Sequence, residues 1–146
     1  NGITCKVTGI SANAFKNNKS LKSITIGRNV TVIGTNAFYG CKKLSKVGGG
    51  NGIVKIGHRA FANCISLSKI TIPGSVRSIG KQAFCNCKKL RSITINTSTL
   101  SGKTVGSKAF AGTYKKPTVK VPAEQMKAYK KLLKARGMSS KAVYRK

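Results

Sequence analysis

The chain predicts an α/β-type repeat protein: a solenoid of about five coils of ~23 residues, one parallel sheet of short strands and a C-terminal capping helix. Three observations predict it. All five phenylalanines, Phe15, Phe38, Phe61, Phe84 and Phe110, stand in one column with spacings of 23, 23, 23 and 26 residues, each after an alanine. Aliphatic columns run at the same period. After the last coil, Ala123–Arg136 is free of glycine and proline. Self-similarity at such a period marks units that bury their apolar faces only against one another.

The elements follow in chain order. Ile3, Val7 and Ile10 align with Ile26, Val30 and Ile33, so the chain opens inside a coil. The expectation is a piece of a longer protein, with an uncapped N-terminal face open to end-to-end self-association. Within each coil Leu21, Leu44, Leu67 and Leu90 follow the Phe by six residues. Ile24, Val47, Ile70 and Ile93 come next, then Ile26, Gly49, Ile72 and Ile95. The alternation and β-branching of L-x-x-I-x-I read as a short strand, stacked on its counterpart about 4.8 Å away. Val30, Ile53 and Val76 form another column, and Ile10, Ile33, Ile56, Ile79 and Val105 a last one. The I-G-x-x-A-F stretch is too short for a helix and reads as irregular or 3₁₀ turns.

Two segments break the period. Val47–Gly52 (VGGGNG) puts Gly49 in an isoleucine column, and NTSTLSGKT between Ile95 and Val105 adds three residues. Each is a functional protrusion or drift in a repeat, and drift is the simpler reading. The solenoid is assigned to residues 1–121 and the helical cap with its basic tail to 122–146. Pro122 suits a helix start and Gly137 a stop. Met126, Tyr129, Leu132 and Leu133 share one face, ready to cover the last coil. The rival is a basic amphipathic helix for a membrane or partner. Lys141–Tyr144 is expected to return to the sheet edge.

The unit A-F-x-x-C/N-x-x-L-x-x-I-x-I-x-x-x-V-x-x-I-G, seen in Leu67 to Cys87 (LSKITIPGSVRSIGKQAFCNC), resembles the BspA-like class of leucine-rich repeat found in bacterial surface proteins. The likeness covers roughly residues 3–121. The tail Val119–Lys146 resembles the lysine-rich end of such proteins in gut-dwelling Gram-positive bacteria. The resemblance implies a secreted or cell-surface leucine-rich repeat scaffold for adhesion.

Charge is the second main fact. There are 29 Lys and Arg against one acid, Glu124, for a formal net charge of +28 over 146 residues. Ion pairs cannot organise such a fold, and the surface attracts polyanions. Candidate partners are anionic polymers (wall teichoic acid, acidic glycans) or host and bacterial surface proteins. Lys19, Lys42, Lys43, Lys88 and Lys89 follow the Phe turns. On the strand face the candidate ligand-binding residues are Lys22, Ser23, Thr25, Lys46, Lys69, Thr71, Arg91 and Thr94. A hydroxyl-lined sheet with a lysine margin suits sulfate, phosphate or carboxylate groups; a solvated rim is the plainer reading of any single lysine. Two roles stay open, a binding module or an electrostatic spacer and wall anchor. Nucleic-acid binding trails, because the Phe rings are committed to the core and only Tyr39 of the tyrosines lies in the regular coils.

Phe15, Phe38, Phe61, Phe84 and Phe110, with Cys41, Cys64 and Cys87, are assigned structural roles. Cys41, Cys64 and Cys87 share a column with Asn18 and Thr113, which predicts an inward ladder of free thiols rather than a disulfide framework. Cys5 and Cys85 complete the set. His58 is the only histidine and has Thr35 and Lys81 as column neighbours, so neither a Cys–His pair nor a zinc site is expected. One carboxylate cannot supply paired acid–base chemistry. No nucleotide loop motif occurs, and no cofactor or metal is expected. No run of 18 apolar residues exists to span a membrane. The expectation is a non-enzyme.

Overall fold

The computed structural model describes residues 6–146. Ile3 and Cys5, assigned above to the first coil, lie outside that range. The described strands are β1 (Gly9–Ile10), β2 (Ser23–Ile26), β3 (Val32–Ile33), β4 (Lys46–Gly49), β5 (Lys55–Ile56), β6 (Lys69–Ile72), β7 (Ser78–Ile79), β8 (Ser92–Ile95), β9 (Thr118–Lys120) and β10 (Val143–Arg145). A 3₁₀ turn, Ala123–Gln125, leads into the helix α1 (Met126–Ala135) between β9 and β10. No helix among the described residues is long and apolar enough to cross a membrane.

The expected solenoid is present, and its floor is the phenylalanine column. Successive rings lie 5.0–5.4 Å apart, with planes within 12° of parallel. Phe38, Phe61, Phe84 and Phe110 are fully buried, and Phe15 is half-buried. The L-x-x-I-x-I strands pair in parallel and in the predicted register, Ile24 with Val47 and Ile70 with Ile93.

Two details differ from the single sheet expected. First, the V-x-x-I-G segment adds a ladder that was not expected: β1, β3, β5 and β7 form a second parallel sheet, extended by a bridge from Ile79 to Val105. Two residues per strand are too few to leave an alternating signature, yet stacking completes their hydrogen bonds. The following glycine permits the close stacking, since a Cβ on Gly80 would lie 2.5 Å from the His58 amide. Second, the main sheet is split. β2 pairs only with β4, and β6, β8, β9 and β10 form a separate group. Gly49 and Gly50, at φ +73° and +77°, turn β4 out of the extended path before β6 can pair with it.

The A-F turn uses left-handed backbone twice per coil, at Asn13, Asn36, Arg59, Gln82 and Lys108 and at Asn17, Gly40, Asn63, Asn86 and Gly112. The Asn/Gly column two residues after the Phe is the sequence mark of that turn, and the periodic reading above passed over it.

The cap is as expected and does more than cover. Tyr129 and Leu133 are buried, with Met126 and Leu132 packed against the core. The helix also completes a sixth coil. The Phe110 amide donates to the Arg136 carbonyl, where Phe84 uses Ala109. β10 then pairs with β9, seating Tyr144 beside Val119 in the inward column. The apolar face of α1 is thereby packed on the solenoid rather than left free for a membrane surface or a partner.

The NTSTLSGKT loop is the seat of that helix, neither protrusion nor drift. Thr97 and Leu100 are buried. The Tyr129 hydroxyl donates to the Thr97 carbonyl (2.8 Å) and accepts from the Leu100 amide (3.0 Å). The Arg136 guanidinium donates to the Val105 and Gly102 carbonyls, both at 2.7 Å. The three added residues let the fourth coil reach the bulkier helix.

Candidate ligand-binding face

Strand pairing decides which predicted residues share a face. Side chains one position apart on a strand point to opposite sides. The apolar columns therefore turn inward and leave Ser23, Thr25, Lys46, Lys69 and Thr71 exposed, with Thr94 half-buried, while Lys22 and Arg91, one residue before β2 and β8, are exposed as well. The register sets Thr25 beside Gly48, and Thr71 beside Thr94 and then Lys120. Ser23 lies beside Lys46, and Lys69 beside Ser92.

The cations do not form one straight row. They come one per coil in two staggered columns, Lys22 and Arg91 in one, Lys46 and Lys69 in the next. Serines fill the remaining places: Ser45 and Ser68 in the first column, Ser23 and Ser92 in the second. The turn lysines are interrupted as well, because the third coil carries Ile65 and Ser66 where the second carries Lys42 and Lys43. Arg91 is held in place, its guanidinium 4.6 Å from the centroid of the Tyr114 ring.

Two basic residues were missed in the sequence reading. Lys120 and Arg145 continue the Thr71–Thr94 row through β9 and β10. V-K-V at Val119–Val121 repeats the I-x-I alternation and was the available signal. The single acid, Glu124, stands in the 3₁₀ turn before α1.

The thiol column is built as expected. The Sγ atoms of Cys41, Cys64 and Cys87 donate to the carbonyls of Phe15, Phe38 and Phe61 in the preceding coil, at 2.9–3.1 Å. Asn18 holds the same place in the first coil and accepts from the Ser20 and Leu21 amides. Burial raises all three thiols, Cys64 to about 12 and Cys87 well above its usual value, which disfavours the thiolate form. All four described cysteines are free, and Cys85 is half-exposed. Among the described residues no group of three or more His, Cys, Asp or Glu gathers as a metal site would require.

Such stacked coils, each with one short strand in a parallel ladder and a leucine at its corner, define a leucine-rich repeat solenoid. The profile of the BspA-type leucine-rich repeat region matches residues 8–135 in six copies, and the chain belongs to that family.

Among solved structures, a leucine-rich repeat protein of T. pallidum (TpLRR) is 31% identical with a TM-score of 0.67, covering 80% of this chain and 53% of that one. A leucine-rich cell surface protein of Faecalibacterium prausnitzii A2-165 is 26% identical with a TM-score of 0.69, covering 94% and 34%. The pneumococcal vaccine antigen PcpA, at 20% identity and a TM-score of 0.67, shares the fold. Curated proteins give no significant match. The chain thus spans about half or less of the length of these three structural relatives.

Proposed function

We propose that the chain is a non-catalytic binding module displayed at a bacterial surface, and that its strand face adheres to anionic polymers such as teichoic acid or acidic glycans. One observation carries the reading: Lys22, Lys46, Lys69 and Arg91 present one cation per coil beside the hydroxyls of Thr25, Thr71 and Thr94, with no acid on the face. A polymer with an anionic group on each unit meets that array repeatedly. Each contact is weak in water, about 1 kcal/mol for charges 4 Å apart, and repetition makes them count. The surface location is supported by the F. prausnitzii relative, described as a cell surface protein.

The test is a salt titration against teichoic acid, heparin, DNA and a neutral glycan. The three polyanions bind at about 0.01 M salt and weaken together as log salt rises, while the neutral glycan does not bind. Replacing Lys22, Lys46, Lys69 and Arg91 by Gln weakens polymer binding by tenfold or more, about 1.4 kcal/mol or above. A protein ligand retained at about 0.15 M salt, with polymers lost, would replace this reading with protein adhesion. Unchanged polymer binding in the four-Gln variant would move the site off the strand face.

A further inference from the structure

The break in the main sheet opens into the core. β4 and β6 are the one pair of successive main-sheet strands, among those described, that shares no ladder hydrogen bonds. The opposite side of the same two coils stays closed: β5 pairs with β7, and the Phe38 and Phe61 rings are 5.0 Å apart. The solenoid is therefore parted on one side only, as a slot. At its head Gly49 replaces the isoleucine found at 26, 72 and 95, leaving a cavity of about 220 Å³.

The floor of the slot is apolar, from Ile53, Ile56, Phe61 and Ile70. Solvent reaches it. Ile53 and Ile70 keep 4% and 5% of their surface exposed, whereas Val76 and Ile93, their counterparts one coil on, keep none. The mouth is cationic and hydroxylated. Lys46 and Lys69 stand on its two lips with Ser45, Ser68 and Thr71, in a surface depression that shares Val47, Gly48 and Thr71 with the cavity. These two lysines are the only cations of the second staggered column, and the gap lies between them.

We propose that this slot binds a small amphiphilic carboxylate, its tail in the cavity and its carboxylate between Lys46 and Lys69. The chemistry follows from the lining. An apolar floor rejects a bare anion, and two unpaired ammonium groups at the entrance select a negative head over a neutral one. The cavity of about 220 Å³ limits the tail to a short alkyl chain. A medium-chain fatty acid fits; a polymer backbone does not.

This site shares two lysines with the proposed polymer face but does not depend on polymer binding, and its test uses no polymer. Octanoate, octanol and acetate are titrated into the full chain and followed by amide and methyl NMR. Octanoate is expected to saturate and to shift Gly48–Gly50, Ile53 and Ile70, octanol to bind at least tenfold more weakly, and acetate to leave those signals unmoved. Lys46→Gln with Lys69→Gln is expected to lower octanoate affinity about tenfold, the scale of one charge-assisted hydrogen bond. Lys88→Gln with Lys89→Gln, away from the slot, is expected to leave it unchanged. Val47→Phe, which puts a ring into the slot from a half-exposed position, should abolish binding while keeping a cooperative melt. Shifts spread over all lysine-bearing turns, or octanol binding as tightly as octanoate, would overturn the proposal. So would β4 and β6 amides as protected from hydrogen exchange as those between β6 and β8, because the slot would then be closed.

Discussion

Each ring in the phenylalanine column touches a ring above and below, except at the ends, so the cost of losing one depends on its place. Phe61→Ala empties a fully buried site between two rings and should destabilise by about 3–5 kcal/mol. Phe15→Ala, at a half-buried end position, should cost roughly half as much; urea denaturation of the two variants compares them. The thiol column makes a second prediction. Its folded-state value of about 12 for Cys64 lies above the ordinary 9.0. Below pH 9.0 both folded and unfolded chains keep the proton, and the thiol's contribution is whole. Between 9.0 and about 12 only the unfolded chain releases it, so stability falls as pH rises. Cys64→Ala lacks that term, and the stability gap between the two proteins should narrow over this window in pH-dependent denaturation. At pH 8, thiol labelling followed by peptide mapping should mark Cys85 well before Cys41, Cys64 or Cys87.

At the scale of the element, α1 is too short to hold itself. Ten residues without a side-chain cap are marginal in water, so packing and the Tyr129 and Arg136 contacts supply its stability. Tyr129→Phe keeps the ring and removes both hydroxyl hydrogen bonds, stranding the buried Thr97 carbonyl. It should cost about 1–3 kcal/mol and speed hydrogen exchange across 97–102 while leaving the Phe61 region protected. The glycine after each second-ladder strand sets how closely coils stack. Gly80→Ala should destabilise by about 1–3 kcal/mol through the clash with the His58 amide. Gly74→Ala, whose nearest neighbour would be 3.7 Å away, should be close to neutral in the same thermal melts.

Over the whole molecule the net charge of +28 opposes compaction, since folding draws like charges together. Raising salt from about 0.01 M to 0.15 M shortens the screening length from about 30 Å to 8 Å and should raise the melting temperature while weakening polyanion binding. Parallel melts and binding titrations in one salt series check both signs. A melting point that fell with salt would mean that attractive electrostatics, not burial, hold the coils. The nearest-neighbour architecture tolerates this charge because its core forms coil by coil from uncharged columns.

The sequence alone determined the coil, its strand register, the ring column, the inward thiols and the helical cap, because each repeated contact is made between equivalent positions and recurs in the chain at the period of the fold. The exposed strand residues followed from the same register. What only the tertiary structure decided are the events that happen once. The seat of Tyr129 and Arg136 on the 97–105 loop joins residues about 30 apart that no column relates. The slot between β4 and β6 depends on the backbone angles of two glycines, which letters spelling a weak strand do not reveal. A period encodes what neighbouring coils share; the single departures from it are written in packing, and packing exists only once the coils are stacked.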